Sequence, residues 1–359
     1  MLLPFLIVAA IVPAVLLVWF FRSRDLHPEP RRVIWTTFAL GVVIIVPECL
    51  VAMPLAALGK GIADPVAHGL YGAVFTAALP EESFKFLVVV LYCMRHRAFD
   101  EPMDGVVYGA VTGLGFACLE NVLYVAQGSF AEAVMRGLTA VPNHACLGAI
   151  MGYFVGRAKF AVTGRGALLA RALLVPALFH ALYDFPLIAI RGLLEAGDAS
   201  ARGLLPVLTL ASFTVLVVEV AWTARLVRRA RVEQEGALAQ WRAYWTARGV
   251  VPAAGDYPRP TPMVKERAPR VRTGPLPPGR WVAAVSGFLL ASAGGVAVLG
   301  SAVMATMPPR GQHPPSAGGL IAFALFAGAI PLACGLALFA FGLRPPRGRS
   351  APAPSPSAR

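Results

Sequence analysis

The chain has 359 residues, 57% of them hydrophobic and 14% charged, with a formal net charge of +13 and a mean hydropathy of +0.66. A soluble domain is nearer half apolar and a quarter charged, and several apolar runs exceed the ~20 residues a helix needs to cross a bilayer. A soluble globular enzyme is therefore excluded and a polytopic membrane protein implied. Nor does the charge point to nucleic acid: the basic residues lie in loops between apolar runs, and 12 of the 32 Lys and Arg fall between Arg225 and Arg280, a pattern that suits membrane orientation and contact with anionic lipid.

The first apolar run, Leu2 to Phe21, has no basic residue before it and Arg22, Arg24, Arg31 and Arg32 after it. A cleaved signal peptide has the opposite order, so a retained helix with its N-terminus outside is expected. Eight further spans are expected over 33–58, 70–94, 103–126, 133–156, 167–190, 204–226, 281–306 and 318–343. Lys and Arg in the successive loops number four, one, two, none, three, two, twelve and one, with four in the tail. This alternation follows the positive-inside rule. The fold expected is all-α: a polytopic transmembrane helical bundle of about nine helices, N-terminus outside and C-terminus cytoplasmic.

Between the seventh and eighth spans, Glu233 to Arg248 has helical composition, with Trp241 and Trp245 on one face, which suggests a surface helix on the cytoplasmic leaflet. Pro252 to Pro278 reads as linker. The division expected is a membrane-embedded core over 1–230, a cytoplasmic basic loop over 231–280, an accessory hairpin over 281–343 without intramembrane charge, and a disordered Pro/Ser/Ala-rich tail over 344–359. Cys49, Cys93, Cys118, Cys146 and Cys334 all lie in apolar runs with no CxxC pair and read as small buried hydrophobes.

Ionisable groups inside the spans carry the chemistry. Each costs roughly 2.5–3.5 kcal/mol at the centre of a helix on insertion scales, so a functional role is the default reading. The third span contains Pro80-Glu81-Glu82-Ser83-Phe84-Lys85, where Lys85 can reach both acids on the helix face. Glu120, Asn121 and Tyr124 follow Phe116 in the fourth span, and His144 heads a ladder of Gly148, Gly152 and Gly156 in the fifth. A matching ladder, Gly105, Gly109 and Gly113, precedes Glu120; small residues at this spacing let membrane helices approach closely. In the sixth span His180 and Asp184 share a face beside Tyr183, and the acid can orient the imidazole. Glu48 and Glu219 are two further intramembrane acids. Glu48 could line the same cavity, whereas Glu219, close to Arg225 and Arg228, reads as a snorkelling side chain; neither is assigned to the site.

Depth ties the set together. Counted from the basic or acidic residue marking the cytoplasmic end of each helix, Glu81 is 14 residues in, Glu120 16, His144 13 and His180 15, or roughly 20–24 Å at the helical rise. These groups share one layer beyond the midplane. Four carboxylates against one lysine leave about −3, which a dry site tolerates only with retained protons or a divalent cation. Either solution suits hydrolysis, with a glutamate taking a proton from water or with His and carboxylate ligands holding Zn²⁺.

The set Glu81-Glu82-x-x-Lys85, Phe116-x-x-x-Glu120, His144 and His180-x-x-x-Asp184 resembles the PrsW family of intramembrane proteases. That family is related to the CAAX-prenyl-protease and bacteriocin-processing group, whose EExxxR and FxxxH patterns differ from those here. The resemblance covers roughly 1–230. It implies cleavage of single-span membrane proteins near their extracytoplasmic face, as in anti-sigma-factor processing, by a protein of the bacterial cytoplasmic membrane. Carried onto this chain, it implies that Glu81 or Glu82 is the general base and that Lys85 holds the other. Glu120 becomes a second acid or ligand. His144 and His180 bind metal or stabilise the oxyanion, and Asp184 orients His180. A proton-coupled transporter and a non-catalytic scaffold are the competing readings; the two halves show no inverted repeat of the transporter type.

Overall fold

The computed structural model describes residues 3–125 and 130–248, with positions 280 and 283 beyond them. The linker, the hairpin, the tail and Cys334 lie outside the described residues. Among those described every regular element is helical. Among the described residues five stretches are long and apolar enough to cross a membrane: Arg31–Gly59, Pro102–Tyr124, Val134–Phe160, Arg165–Glu195 and Ala201–Thr246. Leu204, Leu210, Phe213 and Val217 on the last of these are exposed, as expected of a face turned to hydrocarbon.

Helix α1 spans Leu3–Arg24, and α2 (Arg31–Val43) and α3 (Ile45–Gly59) together form the second expected span. The break at Ile44 has a local cause. Pro47 cannot donate to the carbonyl four residues back, that of Val43, and its ring crowds that carbonyl. The third expected span is helical throughout but changes winding. It runs as α4 (Pro65–Tyr71), a π-helical segment (Gly72–Ala78), α5 (Leu79–Leu87), a second π-helical segment (Val88–Tyr92) and a 3₁₀ turn (Cys93–Arg95). Pro80 sits just after the first π segment, where its missing N–H leaves the preceding turn free to widen. α6 covers Pro102–Val125. The expected span 133–156 corresponds to the membrane-length stretch Val134–Phe160, in which a local break at Thr139, with φ of −122° and ψ of −65°, separates a short α7 (Phe130–Leu138) from α8 (Ala140–Phe160). α9 covers Arg165–Glu195.

At the centre α6 packs against α8, with 78% of the apolar window of each buried against 17% for the last helix, so these two form the interior. The glycine ladders are the reason. A Cβ on Gly109 would overlap the carbonyl oxygen of Gly148, and one on Gly105 that of Gly152. α1 and α2 flank α6, α9 lies on α8, and the α4 column lies on α9. The last helix, α10, is continuous from Ala201 to Thr246 over 46 residues, roughly 69 Å at the helical rise. Glu233 to Arg248 is therefore no separate surface helix: its turns continue α10 far beyond a ~30 Å hydrocarbon core.

Candidate active site

Four helices bring the expected residues to one place. α5 supplies Glu81, Glu82 and Lys85, and α6 supplies Phe116, Glu120, Asn121 and Tyr124. α8 supplies His144, and α9 supplies His180, Tyr183 and Asp184. Lys85 is fully buried, and its Nζ donates to Glu81 Oε2 at 3.2 Å, to Glu82 Oε1 at 2.8 Å and to His144 Nδ1 at 2.8 Å. It also lies 4.2 Å from the Phe116 ring centroid, where the ring face attracts a cation. An ammonium has only donors, so Nδ1 of His144 is the unprotonated nitrogen and Nε2–H donates to Glu120 Oε2 at 2.8 Å. His180 stands edge-on to His144, ring centroids 5.2 Å apart. Its Nδ1 meets Glu82 Oε1 at 3.0 Å, and its Nε2 lies 3.3 Å from Asp184 Oδ2 and 3.9 Å from Glu81 Oε2.

The two adjacent glutamates differ in access. Glu81 lines a cavity of about 560 Å³ together with Glu120, Tyr124, His144, His180, Tyr183 and Asp184. Glu82 and Lys85 have no exposure and do not line it; nor does Asn121, 1% exposed. One oxygen of Glu82 is shared by Lys85 and His180 while the other, Oε2, has no hydrogen-bond partner. Glu81 is therefore open to the cavity, whereas Glu82 and Lys85 reach it only through their contacts with Glu81, His144 and His180.

Sequence reasoning misses or misreads several residues. Arg136, on α7, pairs with Glu120 Oε1 at 2.9 Å, donates to Asn121 Oδ1 at 3.1 Å and stacks 3.8 Å over the Tyr124 ring centroid. With it, four carboxylates face two cations, about −2 rather than −3. Its signal is a basic residue inside an apolar span, at the outer end next to an expected loop. Glu48 is not among them: it lines the cavity, as the sequence allows, and is 6% exposed. Glu219 does not snorkel: it is fully buried, and Asn143 Nδ2 donates to its Oε2 at 2.9 Å. Asn143 precedes His144, so this bond ties α10 to the chamber wall. Of the cysteines, Cys93, Cys118 and Cys146 are buried, and half-buried Cys49 borders the cavity.

Donor atoms of Glu81, Glu82, His144 and His180 all lie within 4.8 Å of one another. Two imidazoles with carboxylates suit Zn²⁺, so the residues fit a divalent ion. Among Glu81, Glu82 and His144 this structure places the ammonium of Lys85, a cation of the chain itself, which marks the spot as one that attracts positive charge. Glu120, expected among the ligands, stands behind His144 as partner of its Nε2.

Residues 29–222 match the family model described as PrsW family intramembrane metalloprotease. The chain is 40% identical over 185 residues to Protease PrsW of Geobacillus kaustophilus (strain HTA426), covering 51% of this chain and 80% of that protein. It is 35% identical over 187 residues to Protease PrsW of Bacillus subtilis (strain 168), covering 52% and 84%. No solved structure matches it. The matched region contains α2 to α9 and all the residues gathered around Lys85, and with its apolar helices and these relatives the chain belongs to the PrsW family, as an integral membrane protein with the peptidase activity of an intramembrane protease.

Proposed function

We propose that the chain cleaves peptide bonds of single-span membrane proteins, anti-sigma-factor-like substrates among them, in the layer of Glu81 and His180 near the outer face of the bacterial cytoplasmic membrane. The observation that carries this is Glu81: a carboxylate opening on a 560 Å³ cavity, with two imidazoles and a second carboxylate within 4.8 Å. A general base must reach the proton it removes, and of the two glutamates only Glu81 can meet a water in the cavity. Lys85 and Glu82 position it: the ammonium holds Glu81 Oε2 and Glu82 Oε1, and Glu82 in turn holds His180. Asp184 meets the opposite ring nitrogen of His180, so the imidazole is held between Glu82 and Asp184 in the cavity wall, and Asp184 must give up Nε2–H before that group can reach a scissile carbonyl. The Glu120–Arg136 pair borders the cavity, where the guanidinium can bind the backbone of an unwound substrate. A Zn²⁺ held by His144, His180 and Glu81 or Glu82 would polarise the carbonyl or lower the pKa of water, with Lys85 withdrawn from the cluster. The core of residues 1–230 carries this chemistry, with the N-terminus outside, and the arginines that follow the membrane span on α10, Arg225, Arg228 and Arg229, meet anionic lipid at the cytoplasmic face.

The test uses purified full-length protein in proteoliposomes with a single-span substrate. Glu81→Gln, Glu120→Gln and His180→Ala should each abolish product; retained cleavage in all three refutes the assignment. Metal analysis with chelation separates the two mechanisms: loss of cleavage in EDTA and recovery with Zn²⁺ excludes a glutamate acting alone.

A further inference from the structure

A second group of acids is buried at the other end of α6, 16 residues from Glu120 and so roughly 24 Å from the chamber. The turn between α1 and α2 folds inward there. Asp25 is 4% exposed, Glu29 1% and Asp104 not at all, and an oxygen of each lies within 4.8 Å of the other two. Part of this oxygen set is satisfied. Asp104 Oδ2 accepts the N–H of Asp100 at 2.7 Å and of Glu101 at 2.8 Å, Asp25 Oδ1 accepts from His27 N–H at 2.9 Å and Gln234 Nε2 at 2.7 Å, and Tyr108 donates to Glu29 Oε2. Asp25 Oδ2 and Asp104 Oδ1 are buried without a donor group, and the Glu29 and Asp104 carboxyls lie within hydrogen-bond reach of each other. Lys159, a nearby base, directs its ammonium to the carbonyl oxygen of Phe99, and His27 pairs with Glu101 at 3.1 Å.

An unpaired buried carboxylate oxygen is costly, and two of them beside a third buried acid more so. A cation relieves both the orphaned oxygens and the mutual repulsion. Because the donors are all oxygen, a hard cation fits and a thiophilic or imidazole-seeking one does not. We propose that Asp25, Glu29 and Asp104 hold a divalent hard cation, Mg²⁺ or Ca²⁺, distinct from the catalytic cluster. The trio joins the α1–α2 turn to the start of α6, and Gln234 brings in α10 through Asp25. Occupancy therefore fastens three separate parts of the chain at this end of the bundle.

Thermal unfolding of the full-length protein in detergent tests this, after stripping with EDTA and dialysis. Adding Mg²⁺ or Ca²⁺ should raise the melting temperature by roughly 5 °C at about a hundredfold excess over the dissociation constant, and the stronger of the two responses identifies the ion. Glu29→Gln and, separately, Asp25→Asn should lose the response, while Glu81→Gln, in the distant chamber, keeps it. The order should also cross: without divalent ions the Glu29→Gln protein melts at or above wild type, because a repulsive charge is gone, and with them it melts below. Isothermal titration of wild type should show one hard-cation site that survives Glu81→Gln. A wild-type protein indifferent to both ions at millimolar concentration, its three acids being neutralised by protons instead, overturns the proposal. So does an unchanged response in both neutralised variants.

Discussion

Gly152→Ala adds one methyl group where α6 and α8 touch. That Cβ would overlap the Gly105 carbonyl oxygen and stand 2.6 Å from Gly105 C and 3.1 Å from Gly109 Cα. All three neighbours are backbone, so no rotamer change relieves the contact. Restoring a carbon–carbon separation of about 3.6 Å requires the helices to part by roughly 1 Å. Overpacking of this kind costs about 1–3 kcal/mol. The displacement reaches the chamber because His144 stands eight residues up the same helix, about 12 Å along its axis. Its bonds to Lys85 on α5 and Glu120 on α6 are both 2.8 Å long, and a shift near 1 Å takes them past the ~3.5 Å at which a hydrogen bond is lost. Cleavage of a single-span substrate should fall by up to ~10²-fold, together with a lower melting temperature. Gly203→Ala, on α10 with no neighbour within 4 Å of its Cβ position, is the control and should match or exceed wild-type stability, since alanine favours helix by about 1 kcal/mol. A Gly152→Ala protein that melts and cleaves like Gly203→Ala would refute the view that this contact sets the site.

Lys85→Met should be more severe, since it strips the buried cation from Glu81, Glu82 and His144. Breaking a buried pair costs about 3–5 kcal/mol, and both melting temperature and cleavage should collapse. Arg136→Ala should spare stability, because that guanidinium pair is partly solvated, yet lower cleavage by about tenfold. Arg136→Lys should recover only part of it, as an ammonium cannot match the planar fork that meets Glu120, Asn121 and the Tyr124 ring. Outside the membrane, burial and the nearby Arg97 and Lys159 hold the His96 imidazole below its ordinary value. The folded state thus favours neutral His96, whose contribution is complete above about pH 6.5 and is lost as pH falls through the lowered value. His96→Gln should flatten that limb of a melting temperature against pH curve.

How much of the molecule is legible in the sequence depends on which coordinate is asked about. Position along a helix axis follows from counting residues, so the common depth of Glu81, Glu120, His144 and His180 is readable from the chain alone, and the side chains do meet. The two glycine ladders likewise anticipate the α6–α8 contact. Rotation about an axis does not follow from counting. Neighbours point about 100° apart, which leaves open whether Glu81 or Glu82 faces the cavity. For Glu219 the arginines near in sequence mislead, because its partner is Asn143, 76 residues away. Arg136 is hidden for another reason: α7 is apolar enough to merge with α8, and only the backbone at Thr139 separates them.

The π-helical segments on either side of α5 bear on what length changes the chain can absorb. A hydrogen bond that spans five residues instead of four stores one residue beyond the α-helical count in the same turn. Shortening Gly72–Ala78 by one residue can therefore be taken up as a return to α winding, leaving Glu81, Glu82 and Lys85 on their present faces. α6 has no such reserve between Gly113 and Glu120, being α-helical throughout. A deletion there would swing Glu120 by about 100° away from His144. The wall that carries the proposed base is thus the one most tolerant of drift in chain length, and the wall opposite must keep its count.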